Sequence, residues 1–286
     1  MTAGPQGAIE AALRDALHDP ALRVHALRTL GGGTFGQACR VETTAGPFFT
    51  KWGDGLPDGL FAREADGLRA LAAARTSLAV PRVVAVGERF LVTELLEGAP
   101  LDQAALGRGL AELHRHASDA FGFPVDTYCG ATLQANAPLP SWPQFYGERR
   151  LAPLLDAIEA RRGLTASDRR VHERVIERLP SLVADGAPPA LVHGDLWSGN
   201  ALGSTRGPAL VDPACAYADR EAELGMMTLF GGFDRHCFAA YEEAFPLPAG
   251  WRERNGLYQL YHVLNHHALF GGHYGAQALA LARRYA

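Results

Sequence analysis

His193-Gly194-Asp195-Leu196-Trp197-Ser198-Gly199-Asn200 is the stretch on which the fold of this chain turns. The short apolar run Leu191-Val192 leads into it, and a second such run, Ala209-Leu210-Val211, delivers Asp212. Two carboxylates and an amide therefore stand at loop ends, where scaffolds hold reactive side chains. Phosphoryl transfer needs such a set. One carboxylate accepts the proton of an attacking hydroxyl, and hard oxygen ligands hold the Mg²⁺ that bridges nucleotide phosphates. Asp195 suits the first role, and Asn200 and Asp212 suit the second. Taken alone, His-Gly-Asp reads more simply as a tight turn, so support has to come from elsewhere in the chain.

The H-x-D-x-x-x-x-N spacing matches the catalytic loop of kinases, and Asp212 takes the place of the metal-binding aspartate that opens their D-F-G motif, with Pro213 and Ala214 replacing Phe and Gly. Lys51, in Phe48-Phe49-Thr50-Lys51-Trp52, lies on an alternating strand that would aim its amine at the α/β-phosphates of ATP. Glu64 sits in the following helix and is spaced to pair with it. Singly, Lys51 reads more simply as a surface lysine and Glu64 as a solvated helix residue, since most charged side chains are exposed. Gly31-Gly32-Gly33-Thr34-Phe35-Gly36 lets backbone N–H groups approach phosphates, although a plain hairpin turn explains glycines too. The order is what carries weight: glycine loop, Lys51, Glu64, Asp195, Asn200, Asp212.

The rest of the chain fits a two-lobed α+β architecture. An amphipathic helix on Ile9, Ala12, Leu13, Ala16 and Leu17 comes first. Strands are expected over 24–30, 37–44 and 47–52 as an antiparallel meander, a helix over 61–74, and strands over 82–86 and 90–96. Glu97-Gly98-Ala99-Pro100 reads as a linker, which divides a β-rich lobe, 1–97, from a helical lobe, 98–286. Helices are expected there over 101–116, 148–162, 167–184, 220–230, 235–244, 251–270 and 277–285, with 121–143 irregular. Backbone groups of Glu94 to Leu96, at the hinge, are the expected purine contacts.

Composition narrows the partners. The 286 residues are 48% hydrophobic and 20% charged, as in globular proteins. A net charge of −4 offers no electrostatic footprint for nucleic acid. Cys39, Cys129, Cys215 and Cys237 are too scattered for a disulfide framework or a zinc motif, which fits reduced thiols in cytoplasm. Charges within 1–19 speak against a signal peptide, and no run has the length of a membrane span. A monomer or weak homodimer is expected.

With these motifs the chain resembles the fructosamine kinase, or ketosamine-3-kinase, family, a branch of the protein-kinase-like fold near the aminoglycoside phosphotransferases. The resemblance rests on Leu196-Trp197-Ser198 inside the loop, on Phe121-Gly122-Phe123, and on Cys129-Gly130, Gln134, Asn136, Trp142, Phe145 and Arg149-Arg150-Leu151. Asp212-Pro213-Ala214, Glu221, Glu223-Leu224, Phe230-Gly231-Gly232-Phe233 and Tyr258-Gln259-Leu260-Tyr261 with Leu264-Asn265-His266 extend it. It implies transfer of the ATP γ-phosphate to the O3′ hydroxyl of a ketosamine, with Mg²⁺, followed by release of the amine. The loop from Gly33 to Gln37 is shorter than in many relatives, with Thr34 where some carry cysteine, so no redox role is carried over.

Two residues of the loop are substrate-side candidates. Trp197 either stacks on the sugar or alkylamine, or fills the core beneath the loop. His193 either orients the loop through backbone carbonyls or moves a proton. Glu221 and Glu223 are expected to answer a helix dipole or to brace the site through an arginine.

Overall fold

The computed structural model describes residues 5–31, 35–183 and 186–286. Helix α1 (Gln6–Leu17) opens it, and the spacing of Ile9 and Leu13 places both on one face, fully buried. The strands β1 (Val24–Thr29), β2 (Gln37–Thr43), β3 (Gly46–Trp52), β4 (Val83–Gly87) and β5 (Phe90–Glu94) follow, with α2 (Leu60–Ala73) between β3 and β4. They pair antiparallel in the order β1-β2-β3-β5-β4, so the expected meander is present.

Alternation along β5 sorts its side chains between two cores. Phe90 and Val92 pack with Ile9 and Leu13 of α1. Leu91 faces the other way, into a cluster with Leu60, Phe61, Ala65 and Leu68 of α2. Lys51 pairs across the ladder with Leu91, and directly opposed residues share a face. The pleat thus turns the lysine toward α2.

After β5 the chain crosses to the helical lobe through a strap tied by its backbone. Ala99 N–H donates to Gly203 O, and Thr205 N–H donates to Glu97 O. Asp102 then caps α3 (Gln103–Leu113) by accepting from Ala105 N–H. The other helices are α4 (Trp142–Phe145), α5 (Ala152–Arg162), α6 (Ala166–Leu182), α7 (Arg220–Leu229), α8 (Arg235–Ala244), α9 (Trp251–Phe270) and α10 (Tyr274–Ala282). Leu257, Tyr258, Leu260, Tyr261, Val263 and Leu264 bury successive faces of α9, which makes it the central post of the lobe.

Two features depart from the sequence expectations. The segment 121–143 contains a tight hairpin, β6 (Thr127–Cys129) and β7 (Thr132–Gln134), turning at Gly130-Ala131. The helix expected from Glu148 begins at Trp142 instead and passes through a π-helical turn, Tyr146–Leu151, before α5. Gly130 has a φ of +61°, which glycine adopts freely. Two further strand pairs frame the loop: β8 (Ala190–Val192) with β11 (Ala216–Ala218), and β9 (Ala201–Ser204) with β10 (Gly207–Leu210).

Candidate active site

Strand β8 ends at Val192 and hands the chain to His193. Gly194 follows with a φ of +84°, and a Cβ there would lie 2.1 Å from Ala214 O, so this crossing admits only glycine. The crossing is fixed because Ala214 N–H donates to His193 O at 2.8 Å. Leu196 is fully buried and pins the loop from below.

His193 is wholly buried, and both of its ring nitrogens are taken. Nε2 lies 2.8 Å from Val211 O, and Nδ1 accepts from Asp195 N–H at 3.2 Å. Burial lowers its pKa. A neutral ring donating from Nε2 and accepting at Nδ1 satisfies both contacts. His193 therefore orients the loop, and its expected place among substrate contacts is corrected: with no exposed surface it reaches no ligand.

Asn200 Nδ2 donates to Asp195 O at 2.8 Å, which fixes the amide and leaves Oδ1 free of hydrogen bonds among the described residues. Val211 N–H donates to Asn200 O at 3.1 Å, drawing the end of β10 alongside. The next residue, Asp212, has a φ of +60°. Left-handed backbone at a non-glycine residue costs on the order of 1–3 kcal/mol, although Asp tolerates it better than most.

Lys51 links the lobes. Its Nζ lies 3.0 and 3.1 Å from the two Glu64 oxygens and 2.5 Å from Asp212 Oδ1. Burial alone would push the ammonium down, but the Glu64 and Asp212 carboxylates outweigh it and hold Lys51 above the ordinary lysine value. Burial pushes Glu64 up, against the pull of Lys51. The two-pronged contact at 3.0–3.1 Å fits an ionised pair, and the raised lysine agrees with it. Burial, with the carboxylates of Asp212 and Glu223 behind it, raises Asp195 well above the usual carboxylate range. A carboxylate shifted upward is a stronger base toward a hydroxyl proton.

These groups share a cavity of about 510 Å³, within the size range of small-ligand sites. Lys51, Glu64, Asp195 and Asp212 line its polar side, and Trp197, Phe230 and Phe270 line an apolar side. Trp197 is 43% exposed, so its indole stands at the cavity and does not fill the core beneath the loop. The ring lies over Gly199, where a Cβ would meet it at 2.2 Å.

The remaining expected nucleotide contacts are less engaged. Gly31 has a φ of +74°, whereas Gly32, Gly33 and Thr34 lie outside the described residues. Neither Glu94 nor Leu96 lines the cavity. Glu94 N–H donates to Arg82 O, and its carboxylate accepts from Arg82 N–H and from Arg206 at 2.6 Å, so those groups are committed to the residue before β4 and to the β9–β10 turn.

Sequence reasoning named the residues of two supports without finding the contacts they make. Glu223, in the first turn of α7, accepts from the backbone N–H groups of His193 and Gly194. Burial pushes it up, but His114, His193 and those amides hold it below the ordinary glutamate value. Glu221 makes the expected arginine brace, two-pronged to Arg254 at 2.6 and 2.8 Å. The second support is a polar web behind the β6–β7 hairpin. Gln134 Nε2 donates to Tyr261 Oη at 2.7 Å, Asn265 Nδ2 to Cys129 O at 3.3 Å, and Arg150 to Ala135 O and Asn136 Oδ1 at 2.9 and 2.6 Å. The signature letters scattered along the sequence thus converge in one place.

A five-stranded lobe, a helical lobe and an ion cluster between them define the class of two-lobed, protein-kinase-like phosphotransferases. The family model described as fructosamine kinase matches residues 7–285, and the chain belongs to that family. It is 36% identical over 275 residues to the protein-ribulosamine 3-kinase, chloroplastic, of Arabidopsis thaliana, covering 93% of this chain and 84% of that one. It is 35% identical over 263 residues to a ketoamine kinase candidate of Vibrio cholerae, covering 88% and 90%. The crystal structure of a fructosamine-3-kinase candidate from Thermobifida fusca superposes with a TM-score of 0.87 at 36% identity, over 97% of this chain and 98% of that one. ADP-bound aminoglycoside phosphotransferase APH(2'')-Ib, at 16% identity and a TM-score of 0.63, shares the fold.

Proposed function

We propose that this chain transfers the γ-phosphate of ATP to the 3-hydroxyl of ketosamines, the fructosamine- or ribulosamine-type Amadori adducts of sugars on amines. The observation that carries this is Asp195 facing, across one cavity, the Lys51–Glu64–Asp212 cluster. A carboxylate of raised proton affinity suits removal of the hydroxyl proton as the oxygen attacks phosphorus. Lys51, steadied by Glu64, would hold the α/β-phosphates. The loop from Gly31 through Thr34 would cover the phosphates with backbone N–H groups, and the backbone from Glu94 to Leu96, apart from the engaged Glu94 N–H, would meet the purine.

Asn200 Oδ1 and the Asp212 carboxylate are hard oxygen donors and fit Mg²⁺. Bound there, the ion would neutralise charge on the nucleotide phosphates. Trp197 would stack on the sugar or its amine substituent, since its exposed face lies at the cavity. The 3-phosphorylated product decomposes and frees the amine, so the reaction would serve deglycation. We take the lobe boundary at 97/98, a reading supported by the ties of the strap to Gly203 of β9 and to Thr205 in the turn that follows it. Four unpaired, buried thiols are in keeping with a cytoplasmic enzyme.

ADP release measured against ribulosamines, fructosamines and erythrulosamines, with aminoglycosides and choline as comparators, tests the proposal. Turnover of ketosamines alone is expected. Turnover of an aminoglycoside alone would overturn it.

A further inference from the structure

Beside Asp195 lie two donor side chains that phosphoryl transfer does not use. Cys129 at the end of β6, Asp195, and His262 on α9 each bring one ligand atom, and these atoms all lie within 4.8 Å of one another. Cys129 is 3% and His262 5% exposed. No hydrogen bond engages the His262 ring among the described residues, and its Nδ1 is buried without a partner. A neutral imidazole always carries one bare lone pair, and leaving that nitrogen dry and unpaired is unfavourable. Burial and the neighbouring Asp195 carboxylate push the Cys129 thiol well above the ordinary cysteine value, the contact from Asn265 Nδ2 at 3.3 Å opposing them only in part, so the thiolate forms here when a cation replaces its proton.

We propose that Cys129, Asp195 and His262 form a binding site for a thiophilic divalent cation of the zinc class, whose occupation switches the kinase off. Thiolate, imidazole and carboxylate together suit Zn²⁺, whereas Mg²⁺ takes oxygen ligands, which Asn200 and Asp212 supply. Tetrahedral zinc with bonds of about 2.0–2.3 Å needs its ligands roughly 3.3–3.8 Å apart, so atoms that all lie within 4.8 Å of one another reach that geometry by closing at most about 1–1.5 Å. Cys129 and Asp195 both line the cavity, which gives the ion an entry path and a fourth position for water. On binding, the Cys129 S–H bond breaks, sulfur bonds the metal, and the proton leaves to solvent, so affinity rises with pH. The metal occupies the Asp195 carboxylate, which then cannot take the acceptor hydroxyl's proton. That inhibitory consequence rests on the role proposed for Asp195, while binding itself does not.

Co²⁺ titrated into the full chain with Mg²⁺ in excess reports the site directly, through a thiolate-to-cobalt charge-transfer band. One equivalent is expected to produce the band, and C129S to abolish it. H262N keeps the sulfur and should weaken Co²⁺ binding at least the roughly tenfold that losing even a supporting group costs, which covers the case in which C129S fails to fold. In parallel, Zn²⁺ should inhibit ADP release, with its midpoint raised by at least about tenfold in both variants. Absence of a thiolate band in the wild type, or equal Zn²⁺ midpoints in wild type and C129S, would overturn the proposal. The optical titration needs no turnover, so a chain inactive on ketosamines fails the proposed function without deciding the metal site.

Discussion

Glu223 accepts hydrogen bonds from the backbone N–H groups of His193 and Gly194 at 2.5 and 3.1 Å, so one buried carboxylate holds the two residues that precede Asp195. Glutamine at this position keeps the shape but turns one acceptor into a donor, leaving a buried N–H facing an NH₂. That mismatch costs on the order of 1–3 kcal/mol. E223Q should therefore lower stability by that amount in denaturant titration. It should also lower kcat by about 100-fold, since small displacements of a reacting group have effects of that size, while KM for ATP stays near the wild-type value. Unchanged kcat would deny Glu223 its positioning role.

Replacement of Asp195 by Asn removes the proton acceptor without adding bulk. General-base contributions run from about 100-fold to about 10,000-fold, so kcat of D195N should fall within that range. ATP affinity, read by calorimetry, should stay nearly intact, because the proposed partner of Asp195 is the acceptor hydroxyl. Preserved kcat would refute the assignment.

Lys51 stands between two carboxylates, and its removal exposes their repulsion. K51M leaves Glu64 buried without its ammonium, and breaking a buried pair costs about 3 kcal/mol or somewhat more. The Asp212 share is smaller, because that side chain is half exposed and solvent screens it. Loss of one preorganised charge at the phosphates should lower kcat/KM for ATP by roughly 100-fold or more. Doing so with stability unchanged would mean that Lys51 and Glu64 are not the pair the structure draws.

The histidines give the acid limb of the stability curve. Burial pushes His262 down to about 3, the near neighbour His266 adding to it, whereas the unfolded chain titrates at about 6.5. Above about pH 6.5 neither state is protonated and this group has no effect. As pH falls through 6.5 toward 3, only the unfolded chain takes the proton, and stability is lost, by about 2 kcal/mol at pH 5. Asp195 and Asp219 act in the opposite sense, since burial raises them and folding then strengthens their hold on protons. The wild-type curve is a difference of these effects, so H262N isolates one of them. Its stability relative to wild type should rise by about 2 kcal/mol between pH 7 and pH 5 in urea titrations. A constant offset across that range would show that His262 is not held neutral.

Asp195, Asn200, Asp212, Lys51 and Glu64 were legible in the sequence because their chemistry is carried by side chains at short, ordered spacings. Glu223 was named as a brace, but its role in holding the loop was not legible, because its partners are backbone amides 29 and 30 residues away, and amides leave no letter in a sequence. The convergence of Cys129, Gln134, Tyr261 and Asn265 was also hidden, since it spans 127 to 136 residues and depends on a hairpin in a segment that reads as irregular. The π-helical turn at Tyr146–Leu151 has no periodic signature of its own; it keeps Arg150 buried against Asn136. Exposure of Trp197 was open on sequence alone, since either burial or stacking suits a tryptophan. Gly199 decides it, by giving the indole a bare backbone to lie on.

That relationship yields the last test. A methyl group at position 199 would sit 2.2–2.6 Å from three ring atoms of Trp197, so G199A forces the indole off its seat. The three atoms nearest the added carbon all belong to the indole, so the strain falls first on Trp197. If Trp197 stacks on the acceptor, KM for the ketosamine should rise by about tenfold, the worth of one aromatic contact of roughly 1–1.5 kcal/mol, while KM for ATP stays level. Tryptophan fluorescence should shift as the ring moves. W197F retains an aromatic face of smaller area, fits over an alanine at 199, and should recover part of the loss when combined with G199A. An equal rise in both KM values would place the indole on the nucleotide side, and a fluorescence shift with neither KM altered would remove Trp197 from substrate binding.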